Sequence, residues 1–178
     1  MTALAEEVLS MILAPSLTVP YSQLTSKHAR AFGGNDLIPS SSVLLVCKRW
    51  LRVATPLLYE TVVIRSTGQS YALAEALQLN PPFARYIKNV RLEGAYGGVY
   101  DILKQCRRLS TLVLFLNIYS ESRITCLSRA LPAIDPKHVF LYDTGAIDNV
   151  KFRKLLRIFC DVVPTWKNLV CITGMTLY

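Results

Sequence analysis

The sequence is poor in the side chains that most chemistry requires. Its 178 residues include only two histidines, His28 and His138, and neither has a carboxylate or a cysteine at metal-ligand spacing. A metal centre or a histidine-activated nucleophile is therefore not indicated, and no catalytic residue, metal or cofactor is expected. The five cysteines, at 47, 106, 126, 160 and 171, are odd in number and form no Cys-x-x-Cys pair. That argues against a disulfide framework or a zinc ribbon and for reduced, mostly buried thiols. Long apolar runs are missing too. Val8 to Ser26 is uncharged but interrupted by Pro15 and Pro20, and Leu109 to Ser120 falls short of the roughly 20 residues needed to cross a bilayer. No basic segment opens the chain, and Glu6 and Glu7 stand where a signal peptide would be apolar. A soluble intracellular protein, cytoplasmic or nuclear and without a membrane partner, is the expectation.

What is present is a core-forming chain, with 52% hydrophobic and 18% charged residues. Twenty Lys and Arg against twelve Asp and Glu give a formal charge of +8. Residues 1–60 carry +1 of it and residues 61–178 carry +7, spread along the chain without a long run. Dispersed charge of this kind is a weak signal for nucleic acid.

Three textures succeed one another. Leu4, Val8, Leu9 and Ile12 recur at helical spacing over residues 4–14, and Pro15 is expected to end that helix. Residues 15–40 form a polar connection rich in Gly, Pro and Ser, with Phe32-Gly33-Gly34-Asn35-Asp36 read as a turn and Ser40-Ser41-Ser42 offering caps for a second helix. That helix is expected over 42–54, with Val43, Val46, Cys47, Trp50, Val53 and Ala54 on one face, and with Pro56 ending or bending it.

From residue 59 the pattern becomes a repeat. Apolar residues take positions 1, 4 and 6 of short strand-like segments: Tyr59, Val62, Ile64; Ile87, Val90, Leu92; Leu109, Leu112, Leu114; and Trp166, Leu169, Cys171. Pro136, Val139 and Leu141 fit the same frame, and the middle positions lie 28, 22, 27 and 30 residues apart, close to a leucine-rich-repeat period. Helix-patterned stretches lie between them: Leu73, Ala76, Leu77; Val99, Ile102, Leu103, Cys106; Ile124, Leu127, Leu131; and Phe152, Leu155, Leu156, Phe159. The fold class is α/β, a helical module over 1–58 with a long loop at about 15–40, followed over 59–178 by about five strand-helix units with parallel strands stacked as a solenoid. The chain stops at Tyr178 without a polar capping segment, so a truncated piece of a longer repeat protein is expected.

Two local features invite a ligand. Gly94-Ala95-Tyr96-Gly97-Gly98 lies between a strand and a helix but lacks the Lys-Ser/Thr of a P-loop; it reads as a tight turn using φ > 0. Lys151, Arg153, Lys154 and Arg157 oppose Phe152, Leu155, Leu156 and Phe159 with no aromatics interleaved among the charges, as on a solvated helix face.

Leu4-Ala5-Glu6-Glu7-Val8-Leu9, then Ile12, and later Leu44-Leu45-Val46-Cys47-Lys48-Arg49-Trp50 resemble an F-box: an opening Leu-Pro-x-Glu-Leu/Ile-Leu, an apolar pair one turn on, and a Val-Cys-Lys-x-Trp block. Ala5 replaces the usual proline, and the connection between the helices is long, as in fungal members. The resemblance covers residues 4 to about 59, and the repeat that follows is similar to the leucine-rich-repeat-like region of the same fungal proteins. It implies a module docking on a Skp-type adaptor, and through it on a cullin, with Leu4, Ala5, Val8, Leu9, Ile12, Leu44, Val46, Cys47, Lys48 and Trp50 as the adaptor-binding residues. Two short helices also lack the apolar area for a stable core of their own, which independently suggests completion by a partner, the alternative being that Val46 and Trp50 pack the module internally against the repeat.

In a strand-helix stack the alternate strand positions form the opposite face. Arg65, Arg91, Phe115, Phe140 and Tyr142 fall there, either as an exposed aromatic patch bordered by arginines that receives a protein substrate, or as the second face of a fully buried parallel sheet. The function expected is that of a non-enzymatic substrate-receptor subunit of a Skp-cullin-F-box (SCF) ubiquitin ligase complex. The alternative is a repeat-based protein- or RNA-binding scaffold unrelated to ubiquitination.

Overall fold

The computed structural model describes residues 4–27, 40–116, 118–119, 122–142 and 150–174. His28 and the Phe32–Asp36 turn lie outside them. The chain divides into two compact units, Met1–Thr61 and Val62–Tyr178.

In the first unit, Glu6 and Glu7 set carboxylates in the opening turn of helix α1 (Glu6–Leu17), against the partial positive charge of its N-terminus. The helix runs through Pro15 instead of ending before it. A proline one turn from the end removes a single backbone hydrogen bond, and the turn is closed beyond it by Thr18, whose N–H and hydroxyl both donate to the Ala14 carbonyl at 2.8 Å. A four-residue helix α2 (Tyr21–Leu24) follows. The single helix expected over 42–54 is in fact two elements, a 3-10 turn over Ser40–Leu45 and helix α3 over Lys48–Glu60, which again contains its proline, Pro56. The break falls at Cys47, whose extended backbone (φ −165°) forms the N-cap with no side-chain hydrogen bond, so the serine run does not cap this helix. Leu9, Leu13 and Leu17, at i, i+4 and i+8 of α1, bury against Ala54, with Val43, Leu44, Trp50, Val53, Leu57 and Leu58 packed around them. Arg52 of α3 pairs with Glu6 of α1 on the surface.

The second unit is a five-stranded parallel sheet in the order β1 (Thr61–Ile64), β2 (Asn89–Leu92), β3 (Thr111–Phe115), β4 (His138–Tyr142), β5 (Cys171–Thr173). Helices α4 (Thr67–Leu79), α5 (Val99–Leu103), α6 (Ile124–Ala130) and α7 (Val150–Val162) connect the strands, each packing on the next in chain order. Strands and helices advancing together in sequence place the helices on one side of the sheet. Val90, Leu112 and Val139 are wholly buried in register across β2, β3 and β4. Each repeat enters its strand identically. The Lys88 carbonyl accepts from Ser110 and Thr111 at 2.7 and 3.1 Å, that of Ser110 from Lys137 and His138 at 2.8 and 2.9 Å, and that of Lys137 from Val170 and Cys171 at 2.8 and 3.2 Å.

This ladder corrects the fifth unit. Val139 pairs with Ile172, not Leu169, so the strand enters three residues later than the Trp166, Leu169, Cys171 frame places it. Trp166 belongs to the helical layer: its ring meets Phe159 edge-on at 5.5 Å and its Nε1 donates to the Leu131 carbonyl at 3.2 Å. In the observed register Gly174 falls at position 6, at φ +105°, where a Cβ would collide with the Leu141 carbonyl.

No helix among the described residues is long and apolar enough to cross a membrane.

Candidate functional site

The residues assigned to adaptor binding divide into two groups. Leu9 is buried, and Leu44 and Trp50 pack against the same core, so these three hold the module together. Leu4, Val8, Ile12 and Val46 point outward, with 42–60% of their surface exposed. Ala5 and Cys47 are the exposed N-cap residues of α1 and α3, and Lys48 opens α3 exposed. Met11, Tyr21, Leu45 and Leu51 are further exposed apolar or aromatic residues of this unit that the motif does not name. Val8, Met11 and Ile12 stand at i, i+3 and i+4, on the side of α1 away from the Leu9, Leu13, Leu17 stripe. The helix is thus apolar on both sides: one stripe joins the buried cluster of Leu9, Leu13, Leu17 and Ala54, and the other leaves apolar area exposed.

Of the two arrangements left open for the sheet, the burial of these side chains fits the covered face rather than an exposed aromatic patch. Phe115 and Tyr142 are buried with ring centroids 5.1 Å apart, and Phe140 is half-buried. Arg91 is fully buried, its guanidinium 4.4 Å above the Phe115 ring and its Nε 2.9 Å from a Glu93 carboxylate oxygen. Arg65 approaches the other oxygen of Glu93 at 3.4 Å. β3 is buried at every position and β2 at all but its first, as in a parallel sheet covered on both faces. A cation in that setting is tolerated because a carboxylate and an aromatic ring compensate it. Arg91 and Phe115 are therefore part of the core.

The Gly94–Gly98 segment is also corrected. None of these glycines has positive φ; what they supply is space. A Cβ at Gly98 would lie 2.7 Å from the Ser70 carbonyl, and one at Gly97 would strike the Tyr71 hydroxyl. The Gly98 N–H donates to the Ser70 hydroxyl at 3.3 Å, so the loop is fastened to α4.

The thiols are less buried than expected. Cys47 at the helix break, Cys160 on α7 and Cys171 on the edge strand are exposed, Cys126 is half-buried, and Cys106 is buried. His138 is half-buried in β4, and among the described residues no three His, Cys, Asp or Glu side chains cluster as metal ligands. Arg153, Lys154 and Arg157 are exposed on α7, while Leu155 and Phe159 are buried.

No protein-family model, no curated protein and no solved structure matches this chain.

Proposed function

We propose that the chain is a non-enzymatic substrate receptor of a Skp-cullin-F-box ubiquitin ligase. Its first unit would act as the F-box that docks on the Skp-type adaptor, and its leucine-rich-repeat-like strand-helix unit would hold the target. Ubiquitin transfer is carried out by other subunits; the receptor raises the effective concentration of target at the transferring enzyme. The observation that supports this reading most is the outward apolar row Leu4, Val8, Met11, Ile12, together with Leu45 and Val46, in a unit that buries so little of its own apolar surface. The Val46-Cys47-Lys48-Arg49-Trp50 block supplies the likeness to the F-box.

The test is a pull-down with a purified Skp-type adaptor. Wild type is retained, and Val8→Asp combined with Ile12→Asp, which alters exposed positions only, reduces retention at least about tenfold while leaving the far-ultraviolet dichroism unchanged. Folded wild-type chain that fails to bind ends the F-box reading. RNA binding that weakens steeply with salt would replace it by a nucleic-acid scaffold.

A further inference from the structure

An open cleft of about 550 Å³ lies in the second unit, lined by Tyr71, Tyr96 and Tyr119 with Thr67, Ser122 and Arg123. Its walls are the segments that leave the carboxyl ends of three adjacent strands: β1 runs into Thr67, β2 into Tyr96, and β3 into Tyr119 and Arg123. The volume falls within the roughly 300–1,000 Å³ typical of ligand clefts.

One of the three tyrosines is anchored before any ligand arrives. The Tyr96 hydroxyl donates to the Arg65 carbonyl at 2.7 Å. Tyr71 lies against Gly97 so closely that no Cβ fits between them. Tyr119 is 57% exposed, with its backbone N–H donating to the Ser122 hydroxyl at 3.0 Å. Tyrosines give large amphipathic contact area at low entropic cost, having only two side-chain torsions to order.

The charge of the cleft selects its occupant. Glu93, the carboxylate nearest in sequence to Tyr96, is engaged by Arg91 and Arg65. Arg123 is exposed at the rim and makes no ion pair with a carboxylate among the described residues. The Lys151 ammonium donates to the Ser122 carbonyl at 3.0 Å, which helps fix the backbone beside Arg123. Among the described residues, the cleft is thus lined by aromatic walls with one cation, Arg123, at its rim. An arginine fork matches a carboxylate in shape and charge, whereas a nucleic-acid strand needs a continuous basic track beside its stacking rings.

We infer that this cleft binds a short acidic peptide segment, with apolar or aromatic side chains between Tyr71, Tyr96 and Tyr119 and an Asp or Glu on Arg123. The inference rests only on the target-holding half of the proposed function and is independent of the adaptor.

A random dodecapeptide library displayed on phage, panned on the full chain, tests it. The selected clones carry an Asp or Glu at a fixed offset from an apolar residue, and neither Tyr119→Ala nor Arg123→Glu, both at exposed positions, retains them. A fluorescein-labelled copy of the leading peptide loses at least about tenfold in affinity when its carboxylate becomes an amide. A Lys-substituted copy regains binding on Arg123→Glu. Selection that yields no cleft-dependent clone, clones without an acidic residue, or binding that survives both variants overturns the inference. So does binding of a labelled twelve-residue oligouridylate that the same variants abolish. The adaptor pull-down, run on Arg123→Glu in parallel, separates the two readings: adaptor retention without peptide binding rejects the cleft alone, and peptide binding without adaptor retention rejects the F-box alone.

Discussion

Cys106 illustrates how burial sets the chemistry of a single side chain. Its Sγ donates to the Ile102 carbonyl at 3.2 Å, and burial pushes the thiol up from 9.0 to about 12. Thiolate is the reactive form, so Cys106 is inert at neutral pH, while Cys47, Cys160 and Cys171 are exposed. An aromatic disulfide reagent at pH 8 should modify the exposed thiols rapidly and reach Cys106 only on unfolding. Rapid loss of the Cys106 thiol in a chain whose other cysteines are Ser would contradict the burial. The same shift ties stability to pH. The folded chain holds this proton more tightly than the unfolded chain, so the contribution is complete below pH 9.0 and is lost as pH rises toward about 12. Burial likewise raises Tyr59 and Tyr96 above 10.0. The part due to Cys106 is therefore the difference in urea midpoint between wild type and Cys106→Ala, and that difference should shrink across this window.

The elements were legible in the sequence where one period dominated. Ile87-x-x-Val90-x-Leu92 and its counterparts through Leu141 predict strand entries that the ladder of Lys88, Ser110 and Lys137 carbonyls reproduces. The fifth entry was not legible, because Trp166, Leu169 and Ile172 follow at intervals of three and fill positions 1 and 4 of the frame in two registers. The choice between them was made by Trp166 docking on Phe159 and the Leu131 carbonyl, contacts no local pattern encodes. Pro15 misled for a different reason: near a helix end a proline removes one hydrogen bond and the chain continues. Arg91 and the tyrosine cleft were hidden because their partners come from other strands and loops. The glycine loop was recognised, but its purpose was misread as backbone conformation rather than close approach to α4. That distinction has a measurable consequence. At Gly98 the obstacle is the Ser70 backbone carbonyl at 2.7 Å, while at Gly97 it is the end of the Tyr71 side chain, which can swing aside. Gly98→Ala should destabilise the second unit by about 1–3 kcal/mol and Gly97→Ala by less, as read from urea midpoints. Equal effects would mean that the loop is not held against the helix backbone.

At the scale of the whole molecule the two units differ in how far they complete themselves. In the second, β2 and β3 are buried on both faces, and the helical layer buries Leu77, Ile102, Leu103, Leu127 and Leu155. In the first, only Leu9, Leu13, Leu17, Leu24, Ala54 and Thr55 are buried among the described residues, while Met11, Ile12, Leu45 and Val46 are more than half exposed. A unit of this size with so little core sits at the margin of independent stability, so its backbone should open well before the central strands do. Hydrogen exchange followed residue by residue should find the slowest amides in β2 to β4, near the global stability of about 5–15 kcal/mol usual for domains, and faster exchange throughout α1 and α3. Adaptor at about 100 times its dissociation constant stabilises the state it binds by about 2.7 kcal/mol, which slows exchange in α1 and α3 roughly a hundredfold and leaves β3 unchanged. If α1 and α3 already exchange as slowly as β3 in the free chain, their outward apolar row needs no partner for stability, and the reading of the first unit as a partner-completed docking module loses its physical basis.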